Sequence, residues 1–150
     1  GHRIPFIVKW PGVVKANSIS SATICLTDFM ATCSDILGKP LQNTATQDSY
    51  SLLPLLTPSK KTNYQRTSTI HHSIDGYFAI RKGDWKLAIC SGSGGWSVPT
   101  ENQAIKNNLP AIQLYNLKED PTEQNNVHNK YPEIVRALTA ELEKIKVAKN

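Results

Sequence analysis

The sequence predicts an α+β fold in which a small antiparallel sheet of about four strands is covered by a C-terminal helix. The first observation lies between residues 70 and 90, where two runs alternate between apolar and polar positions with period two. A turn at 82–84 separates the runs and supplies the glycine that a tight hairpin needs for positive φ. A second turn at 75–76 lets a strand ending near His71 fold back onto residues 77–81.

The second observation is the C-terminal segment, residues 131–147, which has the pattern of an amphipathic helix. Pro132 suits its first turn. Its apolar face is formed by Ile134, Leu138, Leu142 and Ile145. Opposite charges three residues apart occupy its wet face, as Glu141/Lys144 and Glu143/Lys146. Such a helix is expected to cover one face of the sheet.

Residues 91–110 and 111–115 complete this region. The first segment is rich in Gly, Ser, Asn and Pro and is predicted to be a long loop of the mobile or functional kind. Its start, Ser91–Gly95, is similar to a phosphate cradle but lacks the Gly-Lys-Ser/Thr ending and a following amphipathic helix. We therefore predict a flexible hairpin loop there. Residues 111–115 are predicted to be the fourth strand.

The N-terminal part has a different character. Residues 4–10 form a nearly continuous apolar run closed by Pro-Gly, which is typical of a strand buried on both faces of a parallel sheet. No other segment can pair with it in that way, so we expect it to belong to a larger α/β domain. The predicted division is therefore 1–56, the end of a larger domain, and 57–150, the antiparallel subdomain, with a linker at 57–63.

A helix is predicted within residues 18–38. Thr27 or Asp28 can cap its start, and Gly38 is a suitable end, followed by Pro40. One apolar stripe is formed by Phe29, Met30, Cys33, Ile36 and Leu37. The short apolar segment 51–56 contains a proline, which favours a turn of helix or an irregular packed segment.

The composition excludes some classes of function. The chain has 150 residues, of which 39% are hydrophobic, and no stretch is apolar for long enough to cross a membrane. Its net charge of +5 comes from scattered lysines, without the basic and aromatic interleaving of a nucleic-acid surface. We expect neither a membrane nor a nucleic-acid partner. The three cysteines, Cys25, Cys33 and Cys90, form no disulfide framework or zinc motif and are predicted to be core thiols.

Two groups of polar residues could carry chemistry. Three carboxylates between residues 116 and 129 lack the spacing of an EF-hand loop, so turn chemistry around Asp120 is the preferred interpretation. His71 and His72 stand near Ser73 and Asp75, but no nucleophile elbow or oxyanion element accompanies a possible triad. Because strand neighbours alternate faces, His72 is expected to point away from His71. We predict at most that these histidines line a polar pocket, with an exposed strand end as the alternative.

Four stretches in order resemble the C-terminal portion of a sulfatase of the arylsulfatase type, in the alkaline-phosphatase-like superfamily. Residues 1–12 resemble a Gly-Gly-x-Arg-x-Pro strand that ends in Trp-Pro-Gly. The helix at 27–38 is similar to the one that follows that strand, and 79–87 matches a hairpin of the C-terminal subdomain. The last stretch, 114–126, matches a strand and turn before the final helix. The resemblance covers residues 1 to 146.

The resemblance implies hydrolysis of a sulfate ester by a formylglycine nucleophile and a calcium ion. Formylglycine arises from a Cys-x-Pro-x-Arg motif, which this sequence lacks, and the calcium ligands would lie upstream of Gly1. We therefore expect no cofactor in this portion and no activity from it alone. The family's C-terminal subdomain borders the substrate cleft, so His71, His72 and the loop 91–110 are candidates for its rim. The resemblance also suggests a periplasmic or secreted location.

Two other hypotheses compete with a sulfatase portion. A free-standing binding module could use the same sheet to hold a sulfated or acidic ligand. An intrinsic hydrolase could use His71, Ser73 and Asp75, and would then act without calcium or formylglycine. If residues 1–56 normally pack into a larger domain, the chain exposes apolar surface and is expected to self-associate.

Overall fold

The computed structural model describes residues 4–39, 48–57, 64 and 66–147. The chain forms two compact units, Gly1–Arg66 and Thr67–Asn150. The elements in chain order are α1 Asp28–Leu37, α2 Leu53–Leu56, β1 Thr69–His72, β2 Phe78–Lys82, β3 Trp85–Ala88, α3 Glu101–Lys106, β4 Gln113–Asn116 and α4 Pro132–Val147.

The second unit is built on the predicted sheet. Its four strands lie side by side in the order β1-β2-β3-β4, and each pair of neighbours is antiparallel. Both predicted turn glycines adopt the left-handed conformation, Gly76 with φ +82° and Gly83 with φ +56°. The four-stranded antiparallel sheet and the α+β class are confirmed. The two turns could be predicted from the sequence because glycine, which has no Cβ, adopts a positive φ readily.

The core of the second unit lies between the sheet and α4. Ile80, Leu87 and Leu114 lie opposite one another in the strand register, and all three are fully buried. They pack against Leu138 and Leu142 of α4, which confirms the predicted apolar face of that helix. The predicted Glu143–Lys146 pair forms at 2.8 Å. Glu141, predicted to pair with Lys144, instead makes its salt bridge across to Lys82 of β2 at 2.6 Å.

Helix α3 corrects the prediction of an irregular loop at 91–110. Thr100 and Gln103 form a capping box, in which the Gln103 amide donates to the Thr100 hydroxyl and the Thr100 amide donates to the Gln103 side chain, at 3.4 and 2.9 Å. This Thr-x-x-Gln pattern satisfies the first free amides of a helix and nucleates it. The signal was present in the sequence, but the glycine and serine content obscured it.

Helix α1 lies within the predicted segment 18–38, and it begins at Asp28 and ends before Gly38 as predicted. Gly38 terminates it with φ +62°. At its start, the Thr27 side chain makes no cap bond, whereas the Asp28 carboxylate accepts from the Cys25 amide at 2.8 Å. Segment 51–56 contains the single turn α2, preceded by the buried Leu52, as the proline suggested.

Residues 4–10 form no strand here, so their predicted place in the sheet of a larger domain stays a prediction. A strand needs a neighbour for its amides and carbonyls, and none of the described residues pairs with this segment. Its apolar side chains are accordingly open to solvent, including Ile4, Phe6 and Ile7. The segment instead borders an open cavity of about 570 Å³ within the first unit.

In the first unit, α1 buries its polar face, whereas the sequence predicted that its apolar face would be buried. The predicted apolar stripe is largely exposed, whereas three polar residues, Asp28, Thr32 and Ser34, are buried. Thr32 and Ser34 are satisfied within the first unit, since the Thr32 hydroxyl donates to the Asp28 carbonyl at 2.6 Å and the Ser34 hydroxyl donates to the Lys39 carbonyl. Helix α1 is therefore attached to its own unit through its polar face.

Asp28 is the centre of this polar attachment. Its carboxylate accepts hydrogen bonds from the Tyr50 amide at 3.0 Å, the Tyr64 hydroxyl at 3.0 Å and the Arg66 guanidinium. Burial by itself raises the pKa of Asp28, but the hydrogen bonds from Arg66 and from the Tyr50 and Cys25 amides outweigh it, so the pKa lies below its usual value. The carboxylate therefore stays ionised and ties three segments of the unit together.

Three further predictions concern single features. All three cysteines are free thiols; Cys90 is buried as predicted, while Cys25 and Cys33 are only half-buried.

None of the described helices is long and apolar enough to cross a membrane. Most of the predicted linker, residues 58–63, lies outside the described residues, so the division at 56/57 stays a prediction.

Candidate functional site

The two candidate histidines lie on opposite faces of the sheet at the end of β1. His72 is paired with Phe78, on the face that α4 covers, and His71 is paired with Ala79, on the other face. Paired residues of antiparallel strands share a face, and successive residues alternate. The predicted separation of the two side chains therefore holds, and only one of them can line a given surface.

His72 is exposed and its ring is fixed from two sides. The imidazole contacts the Phe78 ring edge to face, with centroids 6.1 Å apart, and its Nδ1 lies 2.8 Å from the Ser73 carbonyl oxygen. Because a carbonyl only accepts, Nδ1 carries the hydrogen in this contact. In the tautomer with hydrogen on Nδ1 alone, Nε2 is an acceptor. The Lys146 ammonium lies 5.0 Å from the centroid of the same Phe78 ring.

His71 lies on a polar face of the sheet. It is half-buried, and the row that it begins runs through two alanines, Ala79 and Ala88, to Gln113 of β4. The next row contains Lys86, whose ammonium forms a salt bridge with Glu123. This face is therefore lined by small and polar residues, in contrast to the apolar face under α4.

Ser73 belongs to the turn between β1 and β2. Its hydroxyl accepts from the Tyr77 amide at 3.1 Å, its amide donates to the Tyr77 carbonyl at 2.9 Å, and its carbonyl accepts from the Gly76 amide at 3.0 Å. Asp75 is exposed in the same turn. These contacts give Ser73 a structural use as a turn residue.

The predicted rim loop is anchored at its base by Glu101. The Glu101 carboxylate accepts from the amides of Ser91 and Gly92, at 2.9 and 2.7 Å. These are the first amides of the segment that was compared with a phosphate cradle. A carboxylate of the chain itself therefore occupies the position that a bound anion would take. Gln113 completes the base by donating to the carbonyl oxygens of Cys90 and Gly92, at 2.9 and 2.6 Å.

The tip of this loop packs on the β1–β2 turn. A Cβ added to Gly94 would lie 3.1 Å from the Ser73 side chain, and one added to Gly95 would lie 3.2 Å from Ile74. The two predicted rim elements, the end of β1 and the loop, are thus in direct contact. They carry a set of exposed side chains that we call the rim surface: His72, Ile74, Trp96 and Val98.

The described residues do not fit the calcium ion or the formylglycine that the resemblance implies. They contain no group of three or more His, Cys, Asp or Glu side chains that could hold a metal ion. Asp120 is used in a turn, where it accepts from the Gln124 and Asn125 amides at 3.0 and 2.7 Å. This confirms its predicted turn role. No cysteine of the chain stands in a formylglycine motif.

Comparison with known proteins indicates the protein family, which the geometry of the site alone does not. No family model matches the chain. An N-acetylgalactosamine-6-O-sulfatase of Bacteroides thetaiotaomicron is 36% identical over 146 residues, which are 97% of this chain and 28% of the relative. Human arylsulfatase K is 31% identical over 153 aligned positions, covering 95% of this chain and 25% of the relative. The chain is homologous to a C-terminal portion of the sulfatases.

Solved structures agree with this relationship. A glycosaminoglycan-metabolism protein of Bacteroides thetaiotaomicron is 30% identical with a TM-score of 0.60, over 80% of this chain and 24% of its own. A protein in complex with its substrate D-glucosamine-2-N,6-O-disulfate is 26% identical with a TM-score of 0.69, over 94% of this chain and 27% of its own. The chain spans about a quarter of the length of these sulfatase relatives.

Sequence reasoning found the histidines and the loop but missed Trp96 and Glu101. Glu101 could have been found, because it is the first residue of a helix that the capping pattern marks. Trp96 had no periodic context, since it lies in a Gly/Ser segment. Its exposure could be read only from the structure.

Proposed function

We propose that this chain is the C-terminal part of a sulfuric ester hydrolase and that it contributes the rim of the substrate cleft. The observation that carries the proposal is the 36% identity over 97% of the chain to an N-acetylgalactosamine-6-O-sulfatase. We further propose a sulfate ester of a hexosamine as the substrate, since the names of two relatives contain N-acetylgalactosamine and N-acetylglucosamine.

The catalytic centre is proposed to lie in the rest of the parent enzyme. In the family, calcium and formylglycine supply the Lewis acid and the nucleophile. The described residues fit no calcium ion and the sequence has no formylglycine motif, so no chemical step is assigned to this chain. Alone, the chain is expected to be inactive.

The first unit is proposed to be the end of the parent's larger α/β domain. The exposed apolar stripe of α1 supports this, because Phe29, Met30 and Leu37 each leave more than half of their surface open. The lone apolar segment 4–10 supports it as well, since it lacks strand neighbours among the described residues. Separated from the parent, this surface is expected to drive self-association of the chain.

The role proposed for the histidines is to bind substrate at the cleft rim. His72 is the better candidate, because it is exposed and its ring orientation is fixed by the Ser73 carbonyl and the Phe78 ring. A neutral Nε2 can accept from a sugar hydroxyl, and a protonated one can donate to a sulfate oxygen. His71, on the other face, can take this role only if the cleft lies on that side.

Activity assays test the proposal directly. The chain alone and the longer protein that contains it are compared on N-acetylgalactosamine 6-sulfate and on a chromogenic aryl sulfate, with calcium and after formylglycine formation. We expect activity only in the longer protein. Activity of the chain alone, without calcium, would contradict the proposal and favour a hydrolase built on His71, Ser73 and Asp75.

Two alanine variants of the longer protein locate the rim. His72→Ala is expected to raise KM for the sugar sulfate with little change in KM for the small aryl sulfate, whereas His71→Ala is expected to change neither. The reverse pattern would place the cleft on the opposite face of the sheet. An inactive longer protein whose isolated chain still binds sulfated sugars would favour a free-standing binding module.

A further inference from the structure

The rim surface contains most of the highly exposed apolar surface of the second unit. Among its described residues, the four most exposed large apolar side chains are Trp96 at 88%, Val98 at 80%, Val147 at 72% and Ile74 at 69%. Three of these four belong to the rim surface. Leaving a Trp open to water forgoes its burial, so the core of the second unit does not use this side chain.

The segment that carries Trp96 is held in a defined conformation. Glu101 fixes its beginning through two amides, and the Ser93 amide donates to the Pro99 carbonyl at 2.9 Å, which closes the loop around Trp96. The Ser93 hydroxyl also donates to the Ser97 carbonyl at 2.7 Å. A Cβ on Gly92 would lie 2.7 Å from the Pro99 and Thr100 carbonyl oxygens, so only glycine fits there. The indole is therefore presented on a preorganised support, which lowers the entropic cost of binding.

We infer that Trp96 is a stacking platform for a pyranose ring of the saccharide that carries the sulfate ester. This inference rests on the proposed function and names a subsite for it. An indole offers a flat apolar face for the C–H groups of a sugar ring, while its N–H can donate to a hydroxyl. His72, at the neighbouring end of β1, provides an acceptor for another hydroxyl.

The size of the rim surface favours a sugar over a protein partner. A Trp side chain contributes about 150–250 Å². A standard protein interface buries about 800 Å² on each partner. Ile74, Trp96 and Val98 are too few for such an interface but match one or two sugar rings. Charge does not argue for a polyelectrolyte, since the turn and loop tip carry only Asp75 as a charged side chain.

Nuclear magnetic resonance of the isolated chain tests this inference without any catalytic step. The chain contains three tryptophans, and the resonance that disappears in Trp96→Phe identifies the Trp96 indole N–H. Titration with N-acetylgalactosamine 6-sulfate, and with unsulfated N-acetylgalactosamine, is expected to shift this resonance. The resonances of Trp10 and Trp85 are expected to stay in place, because both side chains are half-buried and lie outside the rim surface.

The variants separate stacking from folding. Trp96→Ala is expected to weaken binding about tenfold, the loss typical of truncating an aromatic anchor. Trp96→Phe keeps a ring and is expected to lose less, and Val147→Ala, an exposed apolar control outside the rim surface, is expected to lose nothing. Unchanged amide spectra would show that the variants are folded. Equal affinity of wild type and Trp96→Ala, or no binding of either sugar by the wild type, would overturn the inference.

A second copy of the chain is the other possible occupant, and the same experiment detects it. If the Trp96 resonance shifts with protein concentration in the absence of sugar, the rim surface is a self-association interface and the inference fails. The outcome is distinguishable from a failure of the proposed function. A longer protein that hydrolyses the sugar sulfate with the same KM in wild type and Trp96→Ala would retain the function and remove the platform.

Discussion

Helices α1 and α4 both have amphipathic sequences, but the apolar face of α4 is buried and that of α1 is largely exposed. In α4, Leu142 is 1% exposed and belongs to the core beneath the sheet. In α1, Leu37 is 69% exposed, and the helix is attached through buried polar residues instead. An apolar stripe thus identifies the face that a helix offers to a partner, but it does not tell whether that partner lies within the same unit.

Different interactions also stabilise the two units. The second unit relies on apolar burial, centred on Ile80, Leu87 and Leu114. The first unit depends on a buried carboxylate, Asp28, with a set of directed hydrogen bonds. Apolar burial tolerates changes of charge and pH, whereas a buried ion pair fails when either partner is removed.

Removing the Asp28 carboxylate is expected to have the largest effect. Asp28→Ala leaves Arg66 buried without its carboxylate and should destabilise the first unit by about 3–5 kcal/mol, the usual cost of breaking a buried pair. Asp35→Ala, an exposed acid on the same helix, is the matched control and should change stability by less than about 0.5 kcal/mol. Urea unfolding followed at Trp10 measures both. Equal effects of the two variants would contradict a central role for Asp28.

Alanine variants of one leucine from each helix test whether its apolar face contributes to the stability of the chain. Leu142→Ala should cost about 2–5 kcal/mol, because it leaves a cavity in the core. Leu37→Ala in the chain alone should change stability by less than about 0.5 kcal/mol, because its side chain is largely in water. Chemical denaturation of each variant gives the two values.

In the longer protein, the expected effect of Leu37→Ala on stability is different. If the parent's larger domain covers α1, Leu37→Ala should become destabilising there. A neutral Leu37→Ala in both the chain and the longer protein would contradict the proposed assignment of the first unit.

Acid should affect the first unit before the second. The folded-state pKa of Asp28 is lowered, so its stabilising contribution is complete above the unfolded value of 3.8 and is lost as the pH falls through the lower, folded value. The second unit has a comparable carboxylate in Glu141, where burial raises the pKa but the hydrogen bonds from Lys82 and Ser68 outweigh it. Glu141 is partly exposed, so water screens its contribution more strongly.

A pH titration followed by amide resonances checks this order. The amides of Tyr50 and Leu52 should lose their folded positions at a higher pH than those of Leu87 and Leu114. In Asp28→Asn the early step should be absent, because the group that titrates is gone. Simultaneous loss in both units would contradict the separate roles of polar and apolar attachment.

The smallest effect is expected at the salt bridge between the sheet and α4. Lys82→Ala removes the partner of Glu141, but the Lys82 side chain is 51% exposed, so the loss should be about 0.2–1 kcal/mol. Lys146→Ala, which breaks the exposed pair on α4 itself, should cost no more than about 0.5 kcal/mol. Thermal unfolding in low and high salt measures both, and a loss that salt does not reduce would argue against an electrostatic origin.

The sequence was sufficient to predict the parts of the fold that depend on local pattern. The hairpins followed from period-two alternation and from Gly76 and Gly83, and α4 followed from its apolar spacing. Residues 4–10 form no strand in this chain, because an apolar run reports a tendency while strand pairing depends on neighbours, and the predicted neighbours belong to the larger domain. The burial of Asp28 was invisible for the same reason, since its partners Tyr50 and Arg66 are distant in sequence.

The candidate site was predictable only in outline. His71, His72 and the loop 91–110 could be named from the resemblance, but their contact depends on the packing of Gly94 and Gly95 against the β1–β2 turn. The Glu101 anchor and the exposure of Trp96 follow from that packing. Sequence patterns alone do not encode such long-range contacts.

The oxidation rate of Met30 tests the central claim most directly. Met30 is the only methionine of the chain, lies on the apolar stripe of α1 and is 52% exposed. Peroxide treatment followed by mass spectrometry of its peptide gives the rate of sulfoxide formation in the isolated chain and in the longer protein. If the stripe packs against the larger domain of a sulfatase, Met30 should oxidise readily in the chain and be strongly protected in the longer protein. Equal rates in both would contradict the account.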